Sequence, residues 1–353
     1  MKNAVSVLLS GSAAIVGCLV MVPFVRTMAT KFRLYDPMGP LKIHTKPVPR
    51  VGGVAILSGL LSGFAVGYHL LGVKIEIGFW VALAALFLVG LIDDVREISS
   101  GIRLIVQTVA AFALWRNGGS FALLGVPVLG LAAECIFVIV FVNAFNFMDG
   151  ADGIVAGVVA TLAVGFILVG RSSSDVLIAV VLLGSCLGFL AFNFPPASIF
   201  MGDSGSTTLG LLVAFLSLRF YRSLPINDSD HLIPLLFAAL PLLDMLYAVI
   251  RRARGGMSIT QGDRRHCYDL LLRRGWPART VALCCYAAST VTVFLGWICQ
   301  GRGWTYTSLV AALVVGVSVI FAASLGSLRG ETGRTDAGLS PCSSPPAIRS
   351  YHS

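Results

Sequence analysis

The sequence predicts an all-α, polytopic bundle of about ten or eleven membrane-spanning helices, with its polar chemistry gathered at one membrane face. Three observations carry this expectation. Of 353 residues, 56% are hydrophobic and only 12% are charged, against about 25% charged in an ordinary soluble domain. That leaves too little polar surface to face water all round. The apolar runs are long and continuous, close to the ~20 residues a spanning helix needs, and lack the alternation of a β-barrel strand. The basic residues are also distributed unevenly between the segments that separate the runs.

The first run, 3–25, is too long for a signal peptide and has no small-residue cleavage site; Arg26 follows it, so it reads as a retained helix. Further runs fall at 51–71, 75–92, 103–116, 131–148, 153–170, 175–193, 205–221, 232–250, 280–299 and 305–326. The fourth is short, which leaves the count at ten or eleven. With eleven helices and an outer N-terminus, only Lys2, Lys74, Arg116, Arg171, Arg219, Arg222 and Arg302 lie outside, and the other 19 of the 26 Lys and Arg residues lie inside. The positive-inside bias sets this orientation. The membrane domain is expected to cover 1–326. The tail, 327–353, is rich in Ser, Pro, Gly and Arg and reads as disordered.

The net charge of +9 belongs to the orienting loops of a polytopic protein, and nucleic acid is not an expected partner. The eight cysteines form no metal-site spacing and read as small buried hydrophobes.

The acidic residues are more telling. Asp36, Asp93, Asp94, Glu97, Asp149, Asp152, Asp203, Asp263 and Asp269 all fall on the inner side, from five loops, and Asp244 lies within about two turns of the inner end of its span. In LVGLIDDVREIS, Asp93 and Asp94 end an apolar run. Adjacent carboxylates at a helix end point in different directions, so one can hold a metal while the other acts as base or positions a partner; plain solvation is the competing explanation. In NAFNFMDGADGIVAG, Asn143, Asn146, Asp149 and Asp152 crowd the end of a membrane helix, where polar groups are costly without partners. A hairpin turn alone does not need four of them.

In FNFPPASIFMGDSGSTTLG, Asp203 precedes a small-residue helix start. Free N–H groups at such a start suit phosphate, unless Asp203 or Ser204 simply caps the helix. The segment lacks the ending of a nucleotide P-loop. An acid beside bound phosphate calls for a cation, and Mg²⁺ is the usual choice. The basic loop RRARGGMSITQGDRRHCYDLLLRRGW contributes Arg264 and His266, suited to clamp or donate to phosphate; Arg251 and Arg252 read as orienting charges. The proline-rich loop DPMGPLKIHTKPVPRVGG carries Lys46 toward an anionic partner, lipid headgroups included. Carboxylates for Mg²⁺, basic groups for a diphosphate and contact with lipid suit phosphoryl transfer between a soluble nucleotide and a membrane lipid. A secondary transporter would place its ionisable groups nearer the midplane.

KIHTKPVPRVGG, LIDD, NAFNFMDGADG, FNFPPASIFMGDSGS and DRRH occur in that order from about Asp36 to Gly275. This order resembles the bacterial polyprenyl-phosphate N-acetylhexosamine-1-phosphate transferases, glycosyltransferase family 4. The resemblance implies that the phosphate of undecaprenyl phosphate attacks the β-phosphate of a UDP-N-acetylhexosamine and releases UMP, at the inner membrane, with Mg²⁺ or alternatively Mn²⁺. It implies Asp203 and Asp149 as metal ligands, Asp93 as base or positioner with Asp94 assisting, and Asn143, Asn146 and Asp149 along the diphosphate. It further implies Asp152, Asn193 and Phe200 around uridine, Lys46 near a phosphate, and Arg264 and His266 facing the sugar and diphosphate. A homodimer is one assembly it allows.

Two departures stand out. The last motif, often His-x-His-His, reads His266-Cys267-Tyr268-Asp269, and Ser198 stands where many relatives carry a basic residue. The first is closer to O-antigen initiating relatives that use 6-deoxy sugars such as N-acetylfucosamine or N-acetylquinovosamine.

Overall fold

The computed structural model describes residues 2–32, 48–119, 121, 126–225, 228–259 and 262–328. Lys46, Asp36 and the tail beyond Leu328 lie outside the described residues. Thirteen α-helices form the described fold: α1 Lys2–Phe32, α2 Gly53–Leu71, α3 Ile77–Val95, α4 Ser100–Trp115, α5 Pro127–Met148, α6 Ile154–Val169, α7 Ser173–Asn193, α8 Gly202–Arg222, α9 Ile233–Phe237, α10 Ala239–Arg254, α11 Cys267–Arg273, α12 Ala278–Cys299 and α13 Trp304–Leu325. Each of the eleven expected runs is helical, and the chain is a multi-pass all-α membrane protein.

Seven helices (α1, α2, α3, α5, α7, α12 and α13) are long and apolar enough to cross a bilayer by themselves. The Ser229–Phe237 segment, which includes α9, meets α10 at a bend of 74°, and the two together are apolar enough to count as an eighth. Pro234 and Pro241 flank the break and withhold backbone donors there. Helices α4 and α6 are apolar but have only 16 residues each, about 24 Å of helix against a hydrocarbon core of about 30 Å.

Helix α8 is long enough yet is not among the spans that composition alone selects, for a physical reason. It is enclosed by α3, α5, α2, α6 and α7, and nearly every residue from Gly202 to Tyr221 is buried. A helix enclosed by protein can carry polar residues in its first two turns: α3 and α5 supply partners for Asp203, Ser204 and Ser206, and Thr207 donates to the Asp203 carbonyl of its own helix. By contrast α13 faces outward, with Leu309, Leu313 and Ile320 among its exposed apolar side chains, as lipid contact requires. Small residues let the helices close up: a Cβ on Gly59 of α2 would lie 2.8 Å from the Ala14 carbonyl of α1.

The fold runs past the expected boundary at 326. Ser327 is fully buried, its hydroxyl donates to the Arg265 carbonyl at 3.1 Å, and its carbonyl accepts from Arg251 at 2.8 Å. Arg251 and Arg252, expected to serve topology alone, are buried and both bind Asp263, at 2.6 and 2.8 Å.

Candidate active site

The N-terminus of α8 organises the acidic end of the bundle. Asp94, near the end of α3, accepts the Asp203 backbone N–H at 2.6 Å through Oδ1, and the Ser204 N–H at 3.2 Å and Ser204 hydroxyl at 2.6 Å through Oδ2. The first N–H groups of α8 are therefore occupied by a carboxylate of the protein, not free for phosphate as the sequence suggested. The approach is close because Gly202 lies at φ +71°, and a Cβ there would collide with both Asp94 oxygens and the Arg50 carbonyl. Only glycine adopts that backbone without strain.

Asp93 faces another way, as expected of adjacent acids. It accepts the Ile98 N–H at 2.6 Å and pairs with Arg103 at 3.0 Å. Asp203 receives Asn146 Nδ2 on Oδ1 at 2.9 Å and pairs with Arg50 on Oδ2 at 3.3 Å. Asn146 also donates to Ser206 at 3.0 Å. The ends of α3, α5 and α8 thus bring Asp93, Asp94, Asp149 and Asp203 into one cluster, with Arg50 and Arg103 as its cations. Burial, followed by the charge of Asp203, pushes the Asp149 carboxyl up to about 8 against the pull of Arg50.

A cavity of about 620 Å³ opens beside this cluster. Of the sequence-predicted residues it takes in Asn143, Asn146, Asp149, Arg264 and His266. Arg264 donates to the Gly150 carbonyl at 2.6 Å and lies 3.5 Å from Asp269. Asn143 donates to Gln107 at 2.8 Å. Asp93, Asp94 and Asp203 do not line the cavity, but Arg103, which pairs with Asp93, and Asn146, which donates to Asp203, do. Asp152, Asn193 and Phe200 join the loops instead. Asp152 accepts the Ala197 N–H at 2.9 Å, Asn193 links Gly153 N–H to the Ile199 carbonyl, and the Phe200 backbone pairs with Pro49 and Gly52.

Arg103 and Gln107 were missed in the sequence, and Asp244, noted there without a role, has its carboxylate 2.6 Å from His266 Nδ1. Gln107 inside an apolar run was a readable signal, because a buried amide needs a partner. Arg103 was hidden among orienting charges.

Among the described residues no group of three or more His, Cys, Asp or Glu is arranged to hold a metal ion. Mg²⁺ needs less, since it takes one or two carboxylates and completes its shell with substrate phosphates and water. Asp149, whose carboxylate accepts no hydrogen bond among the described residues, and Asp203 beside it are hard oxygen donors of that kind. The residues present fit the ion.

A family model for glycosyl transferase family 4 matches residues 77–221, from the start of α3 to the end of α8. A probable undecaprenyl-phosphate N-acetylglucosaminyl 1-phosphate transferase of Bacillus subtilis (strain 168) is 30% identical over 285 residues, 76% of this chain and 78% of the relative. The chain belongs to glycosyl transferase family 4. A decaprenyl-phosphate N-acetylglucosaminephosphotransferase of Mycobacterium tuberculosis is 32% identical over 291 residues, 71% of this chain and 72% of the relative. An undecaprenyl-phosphate alpha-N-acetylglucosaminyl 1-phosphate transferase of Escherichia coli (strain K12) is 27% identical over 296 residues, 78% of this chain and 79% of the relative. The family 4 match contains Asp93, Asp94, Asp149 and Asp203 and ends before Arg264 and His266.

Proposed function

We propose that this chain transfers an N-acetylhexosamine-1-phosphate from a UDP-sugar to undecaprenyl phosphate at the cytoplasmic face of a bacterial inner membrane. One observation carries the reading. One cavity is lined both by carboxylates, amides and Arg264 and by apolar Leu104, Ile139, Val140, Met245 and Val249. A polar diphosphate and a lipid-borne phosphate can meet there. The relatives' names, prenyl-phosphate N-acetylglucosaminyl phosphate transferases, agree in class.

In the proposed reaction an oxygen of the lipid phosphate attacks the β-phosphorus of the donor. The bond from that phosphorus to the bridging oxygen breaks, UMP leaves with the oxygen, and a diphosphate-linked lipid sugar forms. Direct attack needs little from the protein beyond position and charge. Asp93, held by Arg103 and the Ile98 N–H, orients the attacking phosphate or takes its proton. Asp94 fixes the first turn of α8, and with it the place of Asp203. Arg264 and His266, which also line the cavity, face the donor, and Lys46 is assigned to a phosphate. Bound to Asp149 and Asp203, Mg²⁺, or Mn²⁺, would neutralise the charge of the diphosphate. The product would start a lipid-linked glycan, O-antigen or a related surface polymer. The sugar is GlcNAc by the relatives' names, or a 6-deoxy N-acetylhexosamine by the His266-Cys267-Tyr268-Asp269 motif.

The test uses purified protein with undecaprenyl phosphate, Mg²⁺ and, separately, UDP-GlcNAc, UDP-N-acetylfucosamine and UDP-N-acetylquinovosamine. Lipid- and Mg²⁺-dependent UMP from one donor, abolished by a chelator, is the expected result. No UMP from any donor, with solute uptake by vesicles carrying the protein, would replace the reading with a transporter.

A further inference from the structure

His266 stands at the head of α11 with its ring in the cavity wall. Behind it is Asp244 of α10, with Oδ2 2.6 Å from Nδ1 and Oδ1 accepting the Cys267 N–H at 3.3 Å. Both side chains are only 6% exposed. Asp269 accepts the His266 backbone N–H at 3.3 Å, so one carboxylate holds the main chain and the other holds the ring. The Tyr268 ring lies parallel to the imidazole within 8°, centroids 5.3 Å apart, and its hydroxyl donates to the Phe147 carbonyl at 3.3 Å. The imidazole is thus fixed at one edge and along one face, while Nε2 has no hydrogen-bond partner among the described residues. A carboxylate within a membrane helix is costly unless it is partnered, and both oxygens of Asp244 are spent on this corner.

We infer that Asp244 is a positioning residue for His266: it accepts the Nδ1–H, fixes the plane of the ring, and turns Nε2–H into the cavity as a donor to an anionic oxygen of the sugar nucleotide's diphosphate. The inference rests on the transferase reading given under Proposed function. A carboxylate on one ring nitrogen sets the tautomer and raises basicity at the other. The electrostatics agree. Burial disfavours the imidazolium, but Asp244, with Asp269 and Asp263 behind it, outweighs burial and raises the His266 pKa above its ordinary value. Other titratable groups around the pair are Tyr268 and Cys267 on α11, Tyr247 on α10, Cys285 on α12, Arg251 and Arg252, which bind Asp263, and Arg264, which pairs with Asp269. The cationic donor is therefore present below the raised pKa and is lost as pH rises through it.

The experiment compares wild type, Asp244→Asn, Asp244→Glu, His266→Gln and the Asp244→Asn/His266→Gln double variant in detergent or nanodiscs. It follows UMP release against pH, and the titration of the His266 ring by NMR on histidine-labelled protein. Asp244→Asn is expected to lower kcat about 10- to 100-fold, to bring the His266 titration down, and to move the basic limb of the rate profile to lower pH. Asp244→Glu should restore part of both. In the His266→Gln background Asp244→Asn should add nothing, because its effect runs through the ring. A loss in Asp244→Asn that is equal at every pH, or equally large without His266, would reduce Asp244 to a structural residue and overturn the inference. An unmoved His266 titration in Asp244→Asn would overturn it as well. A folded wild type that turns over no donor would sink the transferase reading instead, and the titration would still report on the pair.

Discussion

The two ends of α8 carry opposite charge and are built in opposite ways. Asp94 and Asp203 sit at the N-terminus and Arg219 and Arg222 in the last turn, so both ends complement the helix dipole. At the arginine end every charge is matched. Arg219 binds Glu76 and Asp175, and Arg222 reaches Glu134, fully buried on α5, and the Leu114 carbonyl. At the acid end, among the described residues, four aspartates share Arg50 and Arg103, and the Asp149 carboxylate accepts no hydrogen bond. Matching consolidates a helix end against its neighbours. The surplus of carboxylate at the other end leaves room for a cation and a diphosphate. One helix thus joins an anchored end to a reactive one.

Substitutions test this contrast. Asp203→Asn should lower the rate of UMP release about 10³-fold, the several kcal/mol a metal ligand contributes to a phosphoryl transition state, with little change in helix content by circular dichroism. An equal loss of thermal stability would mean that the acid end is structural too. Glu134→Ala should do the reverse. It leaves Arg222 without its buried partner and should cost about 3 kcal/mol of stability, read as a lower unfolding temperature, while the rate per folded molecule stays near wild type.

Gly202→Ala joins the two behaviours, since it strains a left-handed backbone and pushes into Asp94. We expect about a 10²-fold fall in turnover with membrane insertion intact; an active Gly202→Ala would show that Asp94 need not touch α8.

The smallest effect concerns Asp263. Burial raises its pKa, but Arg251 and Arg252 outweigh burial and hold it below the ordinary carboxylate value. Its stabilising contribution is therefore present above the unfolded pKa and is lost as pH falls through the folded one. Amide exchange in the 262–269 segment should rise only as pH falls below the ordinary carboxylate range, and Asp263→Asn should remove that pH dependence.

Much of the fold was legible because a lipid-facing helix must be apolar over its whole length. The arrangement around α8 was not, since a helix enclosed by protein obeys no such rule, and its polar first turns look like a loop or a ligand site. Asp93, Asp149 and Asp203 could be picked out because acids at membrane-helix ends demand partners. Which partner each has depends on interhelix packing: Asp94 on the α8 backbone and Asp152 on Ala197 are contacts between residues more than forty positions apart. The cap by Asp94 hid behind the appearance of a free phosphate cradle. Arg251 and Arg252 were hidden by an orientation rule that explains any inner arginine equally well.

The tie between Arg251 and Ser327 has a consequence for biogenesis. Ser327 is reached only after the last long helix has been synthesised, yet its carbonyl and hydroxyl are what Arg251 Nη1 binds at the foot of α10. A nascent chain that stops short of it leaves a buried guanidinium short of acceptors beside the loop that bears Arg264 and His266. The wall that bears Arg264 and His266 is therefore completed only after α13 has been made, and a product truncated before Ser327 is expected to insert before it is competent.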